Sequence, residues 1–359
     1  MTDLLYTEDE SDLRAAVRSL LTARADPAAL TGGRAESGSP GDPALWQALA
    51  VEVGAAGLLV PEKLGGQGAS HREAAVVLEE LGRGCVPAPY LTSSVAATAA
   101  LLALGDDADA AVALLGDLAA GRRTAVLAVP LSTAPDGPLP APDGRIGGVA
   151  DAAGADVLLV LRADGLYAVD RSAAEVEPVT ALDLTRPLAA VTVPEGTGTR
   201  LAGRPGGEAA VRRGLLTAAG LLASEQLGIA EWCLEETVRH TRERHQFNRP
   251  VGSFQALKHR MAQLWLEVVS ARAAARAAAD ALATGSEEAA LLTAVAQAYC
   301  SRVAVHAAEE CVQLHGGIGM TWEHPAHLYL KRAKADEIAY GTPGRHKEHL
   351  AGLVGLDAP

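Results

Sequence analysis

Aromatic side chains are nearly missing from this 359-residue chain: two Phe, four Trp and six Tyr make up 3% of it. With hydrophobic residues still at 49%, a folded core must be built from Ala, Leu and Val, and Ala and Leu favour helices. Only four cysteines occur, Cys85, Cys233, Cys300 and Cys311, with no CxxC spacing. That excludes a disulfide framework or a zinc ribbon and predicts buried thiols in a reducing compartment. No uninterrupted apolar run reaches membrane-spanning length, and the acidic start MTDLLYTEDESD does not read as a secretory leader. A soluble cytoplasmic protein is expected. Basic residues are also in deficit, since the net charge is −13, which excludes a nucleic-acid binder or an anionic membrane surface as the main partner. There is no GxGxxG, no Walker A loop and no GxSxG elbow. His324 and His327 are three apart, as are His346 and His349, but neither pair has a third ligand of suitable type nearby in sequence. They read as surface histidines, and no metal is expected.

The length predicts two or three domains. The first third reads as helices: SDLRAAVRSLLTARA with Ser11 as its cap, PALWQALAVEVGAAGL, SHREAAVVLEELGRGC capped by Ser70, and SSVAATAALLALG. A Gly-, Pro- and Ser-rich loop is expected from Thr31 to Pro43. Past Arg122 come short apolar runs, TAVLAV, ADVLLVLR, GLYAVD and LAAVTV, which predict a compact antiparallel sheet ending at a flexible connection, GTGTRLAGRPGGE. From about Ala209 long apolar-periodic stretches return and predict a helix bundle. One of them carries Leu257, Met261, Leu264, Trp265 and Val268 on one face; another opens at Ser286, read as a cap.

Two stretches stand apart from this pattern. RERHQFNRPVGSFQALKHRMA joins two long helices with Arg244, Phe247, Pro250, Gly252, Phe254 and Gln255. A basic helix end facing a new helix N-terminus can hold a phosphate, though periodicity alone favours a structural interhelical turn with solvated charges. QLHGGIGMTWEHP places three glycines within four residues, room for a backbone or ligand to approach closely. In this order and spacing, with GAAGLLVPEKLGGQGASHREAAVVLEELGR at the front, they resemble the acyl-CoA dehydrogenase family over almost the whole chain.

The resemblance implies an α+β chain with an N-terminal helical domain over 1–121, a small middle β-domain over 122–205 and a C-terminal four-helix bundle over 206–359, the bundle serving FAD binding and oligomerisation. It implies non-covalent FAD, held at its diphosphate and adenosine end by Arg244, Phe247 and Gln255, with Phe254 beside them. Gln313, Gly316 and Gly317 would reach the FAD bound mainly by a neighbouring subunit, and Gly341 and Thr342 match the family's GT beside the flavin. The implied reaction is α,β-desaturation of an acyl-CoA thioester, with an electron-transfer flavoprotein as acceptor. A carboxylate removes the α proton while hydride leaves the β carbon.

The sequence departs from that family in two places. The glutamate that many members carry before GT is Tyr340 here, and a phenol of reference pKa about 10 is a poor base. The alternative slot of some relatives falls near Ala218; the nearest acid on that helix is Glu225, which reads as a structural or salt-bridging residue before a displaced base. Asp336 and Glu337 precede Tyr340 by about one helical turn. The family's TEPxAGSD-like loop is also missing after TAVLAVPLS. Both departures resemble short actinobacterial chains that pair with a second acyl-CoA dehydrogenase chain as α2β2 heterotetramers, several acting on steroid side-chain CoA thioesters. Three readings stay open: a base-deficient subunit, an active homo-oligomer using Glu225 or else Asp336 or Glu337, and an FAD-free scaffold.

Overall fold

A computed structural model describes residues 4–25, 42–105, 108–141 and 144–356 of the chain; most of the loop expected at 31–43 lies outside them. The first helix, α1 (Glu8–Arg24), starts earlier than Ser11. Its cap is Thr7, whose hydroxyl accepts from the Glu10 N–H while the Glu10 carboxylate accepts from the Thr7 N–H. The signal was TxxE rather than Ser11, whose own hydroxyl only donates back to the Thr7 carbonyl. Next come α2 (Pro43–Gln47), which widens into a π-helical turn at Ala48–Glu52, and α3 (His71–Arg83), capped by Ser70 as expected. The π-helical turns Tyr90–Ala97 run into α4 (Thr98–Leu102), and α5 (Asp109–Ala119), a helix the sequence reading passed over, closes this part.

The β region is two sheets rather than one. Strands β1 (Ala125–Leu127), β2 (Arg145–Ala150), β3 (Val157–Leu161), β4 (Gly165–Asp170), β5 (Glu175–Val179), β6 (Leu188–Thr192) and β7 (Thr199–Gly203) divide into β1-β3-β4-β7 and β2-β6-β5. The β1–β3 pair is parallel, so the sheets are not purely antiparallel. Strand β3 is buried along its whole length because both faces of its sheet are covered, which explains the unalternating VLLVL. Leu158 and Val160 meet Val149 and Val191 of the second sheet, while Leu127, Leu159 and Leu166 join the core of the helical domain. Strands β2, β5 and β7 escaped the sequence reading because they are short, half-exposed or glycine-bearing. The expected flexible connection is instead β7 and the first turn of the next helix.

That helix, α6 (Arg204–Glu243), has 40 residues, about 60 Å at the usual rise. Together with α7 (Gln255–Ala283), α8 (Ala289–His315) and the shorter α9 (Ala326–Asp336) it forms the bundle, and α10 (Pro343–Leu353) packs on α8. The start of α8 lies beyond Ser286, whose hydroxyl accepts from the Glu288 N–H in the turn before the helix. Alanine supplies much of the bundle core, as the scarcity of aromatics requires: Ala271, Ala275, Ala278, Ala304, Ala307 and Ala308 are all buried. Two glycines set how closely α3 and α6 cross. A Cβ on Gly228 would stand 1.9 Å from the Glu79 carbonyl oxygen, and one on Gly82 would stand 2.1 Å from that of Glu225. Of the apolar face expected on α7, Leu264 and Val268 are buried, but Trp265 is 55% exposed and lies beside exposed Leu266 and Val269. No described helix is long and apolar enough to cross a membrane.

Candidate functional site

The two unusual stretches converge. Helix α6 ends at Arg244, and the chain turns through β8 (His245–Gln246) and β9 (Arg249–Pro250) into the N-terminus of α7. Helix α8 ends at His315, followed by the turn Gly316–Met320. Between them lies a cavity of about 560 Å³ lined by His240, Arg244, Leu257, Gln313, Gly316 and Gly317. A Cβ on Gly316 or Gly317 would touch nothing within 4 Å, and Gly316 has φ +64°, so both the open space and the backbone suit glycine. The Arg244 guanidinium has no ion-pair partner among the described residues, and Gln313 is exposed. The α7 N-terminus carries no side-chain cap, leaving backbone N–H groups for an anion.

The β8–β9 turn is strained. Phe247 and Asn248 have φ of 52° and 57°, the left-handed pair of a two-residue hairpin that favours Gly and Asn. A phenylalanine there is an outlier. Phe247 is also 85% exposed, its ring edge-on to Phe254 at 6.1 Å, while Arg249 covers the Phe254 face at 3.9 Å. A strained, solvent-facing aromatic is a feature to expect where another molecule docks. Gln255, the first residue of α7, is exposed nearby.

The corner at Tyr340 is built differently. Tyr340 has φ 53° and Gly341 φ 111°. The Tyr340 N–H donates to the Leu131 carbonyl at 2.7 Å, and its own carbonyl accepts from His346 Nε2 at 3.1 Å. His346 is therefore a buried histidine, not a surface one. Gly341 is required sterically as well, since a Cβ would lie 3.1 Å from both Ala134 and His346. Thr342 caps α10, its hydroxyl accepting from the Arg345 N–H. The Tyr340 side chain is buried against Thr92, Ala96, Val129 and Leu131, and the remaining space of about 20 Å³ holds roughly one water. Burial pushes its phenol further up, away from base chemistry at neutral pH. Leu131 is tied to Gly148 of β2 as well as to this corner.

Two of the candidate base carboxylates, Glu225 and Asp336, are engaged. The Arg186 guanidinium donates to both Glu225 oxygens at 2.8 Å and to Asp336 at 2.6 Å, and Arg332 donates to Glu225 and to Asp183. Every one of these side chains is buried. Burial works to raise the Glu225 carboxyl, but the two guanidiniums outweigh it and hold the group below the usual carboxylate range. Asp336 goes the other way: burial and the Glu225 charge push it well up, leaving two cations against the carboxylates of Glu225 and Asp183. Glu337 is half-buried, and Ala218 lies buried within α6. Arg186 and Arg332 carried no sequence signal, because their partners are 39 to 150 residues away. The four cysteines are free and buried.

His324 also acquires neighbours that spacing could not show. His315 from α8 and Glu236 from α6 lie beside it, all three ligand atoms within 4.8 Å of one another. His327 is half-buried.

Sequence profiles of the acyl-CoA dehydrogenase N-terminal and C-terminal domains match residues 7–122 and 206–353. The chain is 39% identical over 348 residues to acyl-CoA dehydrogenase IpdE2 of Mycolicibacterium smegmatis, covering 97% of this chain and 99% of that one. Among solved structures, the Tcur3481–Tcur3483 steroid ACAD superposes with a TM-score of 0.83 at 26% identity, over 97% of this chain and 98% of that one. The ChsE4–ChsE5 complex from Mycobacterium tuberculosis gives 0.84 at 24% identity over the full length of both chains. This chain, with its helical, β and helical segments in that order, belongs to the acyl-CoA dehydrogenase family, FAD-dependent oxidoreductases.

Proposed function

We propose that this chain is the base-deficient subunit of a two-chain acyl-CoA dehydrogenase, which holds one end of FAD for a partner chain that carries the catalytic carboxylate. The observation that carries the reading is the corner at Tyr340. A buried phenol stands in the expected base position, and the carboxylates around it are engaged, Glu225 and Asp336 with Arg186 and Asp151 with the Thr92 hydroxyl. A carboxylate clamped by two guanidiniums is a weak proton acceptor. Glu225 therefore serves to hold the fold together at this corner, while burial keeps Asp336 toward its neutral form.

The residues around the larger cavity fit the diphosphate and adenosine end of FAD. Arg244 offers a bidentate fork to phosphate oxygens, the uncapped α7 N-terminus offers N–H groups, and Gly316 and Gly317 leave space for close approach. Gln313 and Gln255 add amide donors, and Phe247 and Phe254 an aromatic surface. That Arg244 and Gln313 line the same cavity supports one shared FAD end per chain rather than two separate ones. The corner at Tyr340 does not fit the flavin ring, for want of space. When bound, FAD supplies the hydride acceptor. The exposed Trp265 and Leu266 on α7, with Ile318 and Met320 beside the cavity, suit cover by other subunits. Pairing in the ChsE4–ChsE5 complex and the Tcur3481–Tcur3483 steroid ACAD supports a heteromeric partner and a bulky, steroid-derived acyl-CoA substrate. An electron-transfer flavoprotein is the acceptor this reading implies.

The test is expression of the chain alone and with a second acyl-CoA dehydrogenase chain from its own genomic neighbourhood. The expected result is little flavin alone, and stoichiometric FAD with acyl-CoA-dependent bleaching in the pair. A yellow single chain that bleaches with acyl-CoA would sink the proposal in favour of an active homo-oligomer, and a flavin-free pair would favour a scaffold.

A further inference from the structure

We propose that Glu236, His315 and His324 form a binding site for a divalent transition-metal ion of the zinc class, which pins the turn Gly316–Met320 against the end of α6. The three residues come from α6, the last position of α8 and the loop before α9. Their ligand atoms all lie within 4.8 Å of one another.

The His315 side chain is fully buried, and its Nδ1 lies 2.6 Å from the Cys311 carbonyl. A carbonyl only accepts, so Nδ1 carries the hydrogen and the ring is locked with Nε2 turned toward Glu236. This is the arrangement that usually orients a metal-bound imidazole. Nε2 has no hydrogen-bond partner. It stands 3.6 Å from Glu236 Oε1, and His324 Nε2 makes a long hydrogen bond of 3.4 Å to the same oxygen. Both separations exceed a good N–H···O bond of about 2.7–3.2 Å. They match the ligand-to-ligand edge of about 3.4 Å in a tetrahedron with bonds near 2.1 Å. Arg239 donates to both Glu236 oxygens and fixes the carboxylate, which keeps lone pairs for an ion. Two imidazoles and one carboxylate suit zinc-like ions over magnesium or calcium, and leave a fourth position for water.

One change accompanies loading. His324 Nδ1 accepts from the Ala326 N–H at 3.2 Å, so its hydrogen sits on Nε2; the ion requires the other tautomer and frees that amide. The inference does not depend on the FAD reading, because ligand set and fold alone define the site.

The test uses the full chain, alone or paired, stripped with a chelator and titrated calorimetrically with Zn²⁺ and spectroscopically with Co²⁺. The expected result is one equivalent per chain, visible bands of a four-coordinate Co²⁺ site and a higher Tm with metal. Glu236→Gln and His324→Gln should each weaken binding by at least about tenfold. His306→Gln, which removes a surface partner of Glu267 on α7, should leave it unchanged. Circular dichroism and metal-free Tm separate lost ligation from misfolding. Absence of saturable Zn²⁺ binding to the unmutated chain at micromolar concentration overturns the proposal, as does unchanged binding in a folded His324→Gln or Glu236→Gln.

Discussion

Replacing Glu225 by Gln separates a structural carboxylate from a catalytic one. The side chain accepts two hydrogen bonds from Arg186 and one from Arg332, all fully buried. The amide keeps the volume but removes the charge and turns an NH2 group toward a guanidinium. Breaking a buried ion pair by changing one partner costs about 3–5 kcal/mol. Asp336, raised partly by the Glu225 charge, can then ionise and recover some of this, which favours the lower end, about 3 kcal/mol. At roughly 2 °C per kcal/mol for a chain of this size, Tm should fall by about 6 °C or more. Adding Arg186→Met to Glu225→Met removes both charges, leaves Arg332 with Asp183, and should cost less than Glu225→Gln alone. The assay is thermal unfolding of the assembled protein, with turnover measured on the same preparation. If Glu225→Gln leaves Tm within about 1 °C while abolishing turnover, the reasoning fails and Glu225 is the base.

In the same cluster Asp336→Asn should cost under about 1 kcal/mol in thermal unfolding, because the carboxyl it replaces is already pushed toward its neutral form. Glu225, with a depressed folded pKa, contributes stability that is present above its unfolded value of about 4.3 and lost as pH falls through the folded value. Acid titration of stability should therefore fall more steeply for the wild type than for Glu225→Gln below about pH 4.3. Gly228→Ala should cost about 1–3 kcal/mol in urea unfolding, since its Cβ would meet the Glu79 carbonyl at 1.9 Å and α3 must move away. Gly316→Val should lower FAD retention in the assembled pair with unchanged circular dichroism, because valine resists φ +64° and fills the cavity wall. Tyr340→Glu should not make the isolated chain a dehydrogenase, by turnover assay, because about 20 Å³ beside it leaves no room for a thioester.

The family and the helical, β and helical order were legible in the sequence, as were Arg244, Gln313, Gly316 and Gly317, which the fold brings to the larger cavity, whereas Phe247, Phe254 and Gln255 lie outside its lining. They were legible because those signals are local: a Gly-rich turn after a long helix, a basic helix end before a new N-terminus, a capping box at Ser70. The same locality explains the misses. Short edge strands such as β5 lack alternation, and two cap-type residues, Thr7 and Ser11, stand within four positions of each other, of which only Thr7 has its reciprocal glutamate, Glu10. Tertiary structure alone decided how the charges were spent. Glu225 reads from sequence as a salt-bridging residue before a displaced base, but its partners, Arg186 and Arg332, are distant in sequence and only the fold supplies them. His324 seemed to lack a third ligand until the fold set Glu236 and His315 beside it. Periodicity and capping act within a few residues along the chain. Coulombic pairing and ligand geometry act across a few ångströms of space, and only folding brings those residues that close.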